Sequence, residues 1–191
     1  MTSYVRVALA AIAVVAVVGW AAYVLRPREQ VGGTAWTTYT SSRFAYSIRH
    51  PAEWLVTPAT GDWPDHHLPT PFGPTVDRFG ASRGGDTYVF ATSDRLDPDQ
   101  VAAERIAQLD FVNAGEGGSP ACLASNRHTI TLDRVDARQE DLFCFGKDHL
   151  IEVAVIHDGR FYLVDFLSSH VPSQTDKTTF DRFLASFEFG R

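Results

Sequence analysis

Cys122 and Cys144 are the only thiols in the chain. In an exported domain, an even cysteine count favours a disulfide. Closing a loop of about 20 residues contributes roughly 3 kcal/mol of stability in the chain-entropy description. The alternative is a reactive Cys144 thiol with His149 as its base, but the surrounding sequence lacks the context of a thiol enzyme. We therefore predict a Cys122–Cys144 disulfide.

A proline-rich loop contains four side chains with the donor atoms of a metal site: Asp62, Asp65, His66 and His67. Their carboxylate oxygens and imidazole nitrogens would suit zinc or copper. However, the spacing matches none of the structural zinc patterns, and adjacent histidines in a short loop rarely point at one ion. We interpret the segment as a solvated loop and predict no metal and no cofactor.

Two further polar groups have simpler explanations than a site. Asp94, Asp97 and Asp99 lack the glycine and the distant glutamate of a calcium loop, and helix capping accounts for acidic residues at these positions. Ser168-Ser169-His170 places a hydroxyl beside an imidazole, but we expect sequence neighbours at a strand end to point apart. We therefore predict that the protein is not an enzyme.

Residues 7–25 form an uncharged apolar run between two arginines. At about 1.5 Å per helical residue, these 19 residues span roughly 28 Å, close to the hydrocarbon thickness of a bilayer. Trp20 and Tyr23 lie near its end, where the aromatic belts of membrane helices lie. We predict an uncleaved transmembrane signal-anchor; signal-peptide cleavage after Ala22 is the alternative.

The domain that follows the anchor is acidic. Without Arg6 and Arg26, 15 of the 17 basic residues remain against all 23 acidic residues, a formal charge of −8. An acidic domain does not have the excess of basic residues that nucleic-acid binding requires, so we predict no nucleic-acid partner. Long domains translocate largely regardless of flanking charge, and the cysteines favour an oxidising compartment. We therefore expect a single-pass protein of the cell membrane with an extracytoplasmic domain.

Composition divides the chain into four segments. Residues 1–6 form a short tail, residues 7–25 the anchor, residues 26–38 a polar linker that contains glycine, and residues 39–191 one soluble domain. An aromatic content of 12% is too high for disorder. The last segment is long enough to bury roughly two thirds of its unfolded surface.

Hydrophobic periodicity in the domain favours strands over helices. Phe44, Tyr46 and Ile48 alternate with smaller or polar residues in a strand that we expect to end before Pro51. Residues 61–85, rich in proline and glycine, predict an irregular loop. Further strands are predicted at 54–56, 86–92, 128–135, 137–145, 150–157 and 160–166, with a hairpin turn at Asp158-Gly159.

Two helices complete the predicted fold. One begins with a capping pattern at residues 97–100 and runs to about Leu109. The closing helix has Phe180, Phe183, Leu184 and Phe187 on its apolar face. Because four strands are consecutive and helices are few, we predict an α+β fold in which an antiparallel sheet carries helices on its faces.

Three segments resemble PsbP-like domains, the family of the lumenal extrinsic protein of photosystem II. Phe44–Trp54 is similar to the aromatic opening strand of that family with its Pro-x-x-Trp, Val155–Leu163 is similar to its late hairpin, and Phe180–Phe189 is similar to its final helix. The resemblance covers about residues 37–190 and implies an α/β/α sandwich. We interpret the chain as a bacterial, membrane-anchored member of this family.

The family's known members include photosystem assembly and cofactor-retention proteins, a Ran-binding nuclear import factor and many bacterial surface proteins. The resemblance therefore implies a scaffold that binds proteins. The matched positions are those of core and turn residues, so no site residue is carried over.

We expect a non-catalytic, membrane-anchored extracytoplasmic domain that binds a protein partner or a cell-envelope component. The alternative is a carrier of a small ligand or lipid, with a cleft near the loop at residues 61–85. A third hypothesis is a hydrolase or thiol enzyme with dispersed residues. The first predicts a contiguous exposed apolar patch, the second an apolar pocket of about 300 Å³ or more, and the third converging titratable groups.

Overall fold

The computed structural model describes residues 35–63, 73–80, 86–96, 102–114 and 122–190. The predicted tail, the anchor at residues 7–25 and most of the linker lie outside the described residues. Within the described ranges, no helix combines the length and the apolar character needed to cross a membrane. The transmembrane segment therefore stays a prediction.

The described residues form ten strands and two helices. β1 begins within the range predicted for the linker. The strands are β1 (Trp36–Ser41), β2 (Tyr46–Pro51), β3 (Leu55–Thr57), β4 (Asp77–Gly80), β5 (Thr87–Arg95), β6 (Cys122–Leu132), β7 (Val135–Cys144), β8 (Asp148–His157), β9 (Arg160–Ser168) and β10 (Glu188–Phe189). The helices are α1 (Ala102–Ala114) and α2 (Gln174–Leu184).

The strands form two antiparallel sheets, where the sequence pattern predicted one. Seven strands make a large sheet in the order β3-β4-β5-β9-β8-β7-β6, and β1, β2 and β10 make a small sheet with β2 at its centre. The small sheet joins distant parts of the chain, since Glu188 and Phe189 of β10 pair with Ser47 and Tyr46 of β2. Pairing between distant segments leaves no local period in a sequence.

The two helices lie on opposite faces of the large sheet. Val153 and Val155 of β8 belong to the main core together with Phe180 of α2, whereas Ala154 between them belongs to a second core with Leu109 of α1. Because successive side chains of a strand point to opposite faces, α2 covers one face and α1 covers the other. The predicted α+β class, with antiparallel strands and helices, is confirmed.

β2 includes Pro51, whereas the sequence pattern predicted that the strand ends before this residue. The small sheet tolerates proline at this position because β10 pairs only with Tyr46 and Ser47, so Pro51 has a partner strand on the β1 side alone. Phe44 lies in the turn before β2 and not in the strand, although its side chain is buried.

The proline-rich segment at residues 61–85 is not wholly irregular, because it contains β4. This strand pairs with β5, and Phe79 within it is fully buried. A side chain at Gly80 would bring its Cβ to 2.8 Å from the ring of Tyr88, so glycine leaves room for this ring beside β4. A strand of only four residues in a proline-rich segment is too short for the alternation of a strand to be recognised in the sequence.

The four consecutive strands predicted in the second half are confirmed as β6 to β9. Asp158 and Gly159 form the β8–β9 turn with φ values of 46° and 69°, as a type I′ turn requires. β6 begins at Cys122 and not at His128, because a bulge between Ser125 and His128 interrupts its alternation.

Both helices are present with shifted ends. α1 continues to Ala114, beyond the predicted end at Leu109, and its predicted start at residues 97–100 lies outside the described residues. α2 ends at Leu184, so Phe187 lies beyond the helix, but its side chain is buried in the main core.

Candidate functional site

The two cysteines join the ends of β6 and β7. Cys122 and Cys144 are directly opposite each other in the sheet and form a disulfide. Both are buried with Leu142 on the face opposite α2. The predicted disulfide is therefore confirmed. The alternative of a reactive Cys144 thiol activated by His149 is wrong, because the Cys144 sulfur is bonded to Cys122.

Apolar side chains are exposed beside the disulfide. The exposed fractions are 60% for Leu123, 37% for Phe143, 70% for Phe145 and 71% for Val171. Leu123 lies directly opposite Phe143 in the sheet, and the Phe143 ring centroid lies 4.9 Å from that of His149. We call these five residues the apolar patch. Exposed apolar surface of this kind is typical of a protein-binding surface.

A groove of about 190 Å³ connects the apolar patch to the start of α2. It is lined on the sheet side by Asp141, Phe143 and His149, and on the helix side by Val171 and Lys177. The groove exists because α2 covers the β9 side of this face, where Phe180 contacts Phe166. The Phe143 side of the same face stays accessible to solvent.

Both lysines of the chain lie near the apolar patch. Lys147 is in the turn that carries Phe145, and Lys177 lines the groove. Asp141 lines the same groove and accepts a hydrogen bond from the Asn126 side chain at 3.2 Å. The surface thus combines apolar area with two ammonium groups in a domain that is acidic as a whole.

A second, polar cleft of about 330 Å³ lies near the proline-rich loop. Its base includes Asp77, which is buried and accepts hydrogen bonds from Tyr39 Oη at 2.9 Å, Tyr46 Oη at 2.8 Å and the Ala59 N–H at 2.8 Å. Burial, followed by the charge of Asp77, raises the pKa of both phenols well above the ordinary value. The phenols therefore stay protonated and donate to Asp77. The other lining residues are Ser41, Ser42, Arg43, Pro58 and Asp62.

Three buried carboxylates form a row across the α1 face of the large sheet. Glu140 of β7 lies opposite Glu152 of β8, and Glu152 lies opposite Asp165 of β9. Each residue is at most 2% exposed. Burial, then the charges of Glu152 and Glu140, raise the pKa of Asp165 well above its usual range. We call these three residues the carboxylate row.

Two arginines connect the carboxylate row to α1. Arg127 contacts Glu140 at 2.7 Å and Asp110 of α1 at 3.0 Å. Arg138 contacts Asp110 at 2.8 Å and Glu140 at 3.2 Å, and it lies 3.5 Å from Glu152. The network therefore attaches α1 to β6 and β7. Each carboxyl group of the row is almost completely buried in the described structure.

Comparison with known proteins finds similarity in structure. No protein-family model and no curated protein sequence matches the chain. The structure is similar to cyanobacterial PsbP from Synechocystis sp. PCC 6803, with a TM-score of 0.57 and 16% identity, covering 86% of this chain and 98% of that chain. The chain has a PsbP-like fold.

Two more solved structures share this fold. LpqN from Mycobacterium tuberculosis, described as involved in cell envelope biogenesis, matches with a TM-score of 0.52 and 13% identity, covering 82% of this chain and 91% of that chain. The Ran-binding protein Mog1p from Saccharomyces cerevisiae matches with a TM-score of 0.51 and 6% identity, covering 82% and 96% of the two chains. At these identities the likeness shows the fold alone.

The predicted metal-ligand candidates of the PsbP-like domain are not brought together where the structure describes them. Asp62 is exposed and forms an ion pair with Arg43 at 2.7 Å, while Asp65, His66 and His67 lie outside the described residues. Asp94 lies 3.9 Å from Arg105, and Asp97 and Asp99 are again outside. Among the described residues, no group of three or more histidine, cysteine or acidic side chains could hold a metal ion.

The Ser168-Ser169-His170 segment lies at the end of β9 and directly after it. Ser168 Oγ lies 3.2 Å from His170 Nδ1, and His170 Nε2 lies 3.9 Å from Asp176 Oδ2. Ser168 and His170 are separated by Ser169, so the contact does not join sequence neighbours. Ser168 is fully buried and its Oγ accepts the His170 N–H, which makes this a local turn and not an accessible nucleophile.

Residues 80–84 read Gly-Ala-Ser-Arg-Gly, which matches the letters of a Gly-x-Ser-x-Gly nucleophile elbow. That motif requires a strand followed directly by a helix. Here β4 ends at Gly80, and the next described element is the strand β5. Ser82 itself lies outside the described residues. The order of elements therefore does not match that of a hydrolase elbow.

Proposed function

We propose that this PsbP-like domain is a non-catalytic, membrane-anchored extracytoplasmic module that binds a protein partner through the apolar patch. The exposure of Leu123, Phe143, Phe145 and Val171 beside a disulfide carries the proposal. Exposed aromatic groups bury large areas on association and dominate interface energies.

The charges beside the patch favour a partner with acidic groups around an apolar centre. Lys147 and Lys177 supply cations next to Phe145 and Val171. A carboxylate at the edge of the partner surface would meet them, which steers association more than it adds affinity. The apolar centre would supply most of the binding free energy.

The proposed location of the module is based on its sequence. The apolar run at residues 7–25 supports anchoring in the cell membrane, and the disulfide supports an oxidising compartment. Synechocystis PsbP, LpqN and Mog1p share the fold, and one of them, Mog1p, is a Ran-binding protein, so this fold can carry a protein-binding surface.

The test is crosslinking from native membranes with the full chain and matched surface variants. Phe145→Ser and Leu123→Ser remove exposed apolar groups from the patch. Leu55→Ser is the control, since Leu55 is 52% exposed on β3, at the opposite edge of the large sheet. We expect the two patch variants to lose a crosslinked partner that the wild-type chain and Leu55→Ser retain. Identical crosslinks from all four proteins would contradict the proposal.

The polar cleft supports a second candidate, a carrier of a small polar ligand. Its volume of about 330 Å³ is sufficient for such a molecule, and Asp62 and Asp77 of the 61–85 segment line it. Its polar lining favours hydroxyl or amide groups over a lipid chain. Native mass spectrometry of the full wild-type chain should detect a bound molecule. Ser42→Trp fills the cleft, so this variant should lack the bound molecule. A wild-type protein without ligand would contradict this candidate.

A further inference from the structure

The carboxylate row brings three buried acidic side chains side by side on neighbouring strands. Directly opposite residues of an antiparallel pair have Cβ atoms about 4.5 to 5.5 Å apart, so Glu140, Glu152 and Asp165 are close neighbours. Glu140 also shares Arg127 and Arg138 with Asp110 of α1. Full ionisation would place three adjacent negative charges at buried positions.

The two arginines lie at one end of the row. Arg127 extends from β6 to Glu140, and Arg138 on β7 lies within 3.5 Å of Glu140 and Glu152. Asp165 lies at the other end, where its neighbour on β5 is the apolar Phe90. Its Oδ1 atom is buried and has no hydrogen-bond partner in the described part of the chain.

Other charged groups on this face are already engaged with each other. Asp94 of β5 lies 3.9 Å from Arg105 of α1. Arg105 also stacks over the Trp63 ring at 4.9 Å and the Phe161 ring at 5.0 Å. Across the sheet, Asp165 therefore lies between Glu152 of β8 on one side and the aromatic residue Phe90 of β5 on the other.

We infer that the carboxylate row is a proton-binding site, in which Asp165 holds one proton from solvent at neutral pH. The bound proton removes one negative charge from the row, and it turns an unpaired buried acceptor into a hydroxyl donor. This site is independent of the apolar patch, since the two share no residue.

Proton binding at Asp165 has a defined consequence for stability. In the unfolded chain, the carboxyl group titrates near its ordinary pKa of about 3.9, whereas burial raises the pKa in the folded domain. Between these two pKa values the folded state binds the extra proton, so the folded state loses stability as pH rises. One such proton increases the unfolding equilibrium constant by up to about tenfold per pH unit.

The test is urea unfolding of the full chain in detergent micelles at pH 5, 6, 7 and 8, with tryptophan fluorescence as the signal. We expect the unfolding equilibrium constant of Asp165→Asn to rise less steeply with pH than that of the wild-type protein. The difference should be as large as a factor of about ten per pH unit. Asp136→Asn is the matched control, because Asp136 is exposed on β7, and it should keep the wild-type pH dependence. An unchanged pH dependence in Asp165→Asn would overturn the inference.

Infrared spectroscopy provides a readout that does not depend on how the variant folds. The folded wild-type protein should show the carbonyl stretch of a protonated carboxylic acid at pH 7, and this band should be lost as the pH is raised. Asp136→Asn should retain the band, and Asp165→Asn, where it folds, should lack it. Absence of a protonated-acid band from the wild-type protein at pH 7 would overturn the inference without any variant.

Discussion

Asp77 illustrates how one buried charge can join separate sheets. Its carboxylate accepts hydrogen bonds from Tyr39 of β1 and Tyr46 of β2, although Asp77 belongs to β4 of the large sheet. A buried carboxylate with three donors is satisfied, whereas an unpaired one would be strongly destabilising. Asp77 therefore attaches the small sheet to the large one, and its role in the polar cleft is first of all structural.

We predict that Tyr46→Phe lowers the free energy of unfolding by about 1.5 to 3 kcal/mol, because hydrogen bonds to charged groups are worth about that much. Tyr162→Phe is the control, since its hydroxyl makes a longer contact of 3.5 Å with the Ala45 carbonyl, and it should cost less. Urea unfolding of both variants measures the difference. Equal losses would contradict a special role for Asp77.

The same substitution changes the response to alkali. The pKa of Tyr46 is raised in the folded domain, whereas an unfolded tyrosine ionises near pH 10. The folded state therefore binds the extra proton above about pH 10, and stability falls as the pH rises further. We expect Tyr46→Phe to show a shallower loss of stability above pH 10 than the wild-type protein, as measured by urea unfolding; parallel curves would exclude this contribution.

Local patterns in the sequence predict the elements of the second half of the chain and miss the small sheet. Asp158-Gly159 fixes the β8–β9 hairpin, and Phe180 with Phe183 defines the buried face of α2. β1 and β10 are different, because each is defined by pairing with β2. A two-residue strand such as β10 has no period of its own.

Hairpin geometry could have located the carboxylate row. A two-residue turn at Asp158-Gly159 dictates that Glu152 lies opposite Asp165, as the structure has it. The turn at residues 145–147 likewise places Glu140 opposite Glu152. The burial of these carboxylates could not be predicted from the sequence, because it depends on α1 and its Asp110, which meet the sheet only in the tertiary structure.

The disulfide stabilises the end of the sheet that carries the apolar patch. It closes a sequence separation of 22 residues, and the chain-entropy description gives about 3 kcal/mol for such a loop. We predict that Cys122→Ala with Cys144→Ala lowers the free energy of unfolding by about this amount and speeds hydrogen exchange at the start of β6. The β8–β9 hairpin should exchange at an unchanged rate.

A reductant provides the matched control for this prediction. Reduction of the wild-type protein should lower its melting temperature toward that of the double variant, and the variant itself should not respond. If the variant matches the oxidised wild-type protein in stability and exchange, the disulfide does not stabilise this end.

The molecule as a whole keeps its apolar patch apart from its buried polar groups. The patch lies on the α2 face of the large sheet, and the carboxylate row lies on the α1 face. Substitutions in one set should therefore be close to additive with substitutions in the other, since residues without shared partners rarely couple. We therefore expect substitutions that test the proposed binding to leave the proposed pH response unchanged, and the reverse.

The predicted location of the chain, in the membrane with its domain outside the cytoplasm, determines which partners it can meet. A helix at residues 7–25 would hold an acidic domain at the membrane, and the disulfide requires an oxidising compartment to form and persist. We predict that the full chain fractionates with bacterial membranes and that deletion of residues 1–27 releases the domain from them. We also predict that protease added to intact spheroplasts degrades the domain. A cytoplasmic control protein should survive the same treatment. Protection of the domain until lysis would place it inside the cell and contradict the extracytoplasmic address, whereas release of the intact full chain by salt would contradict the anchor.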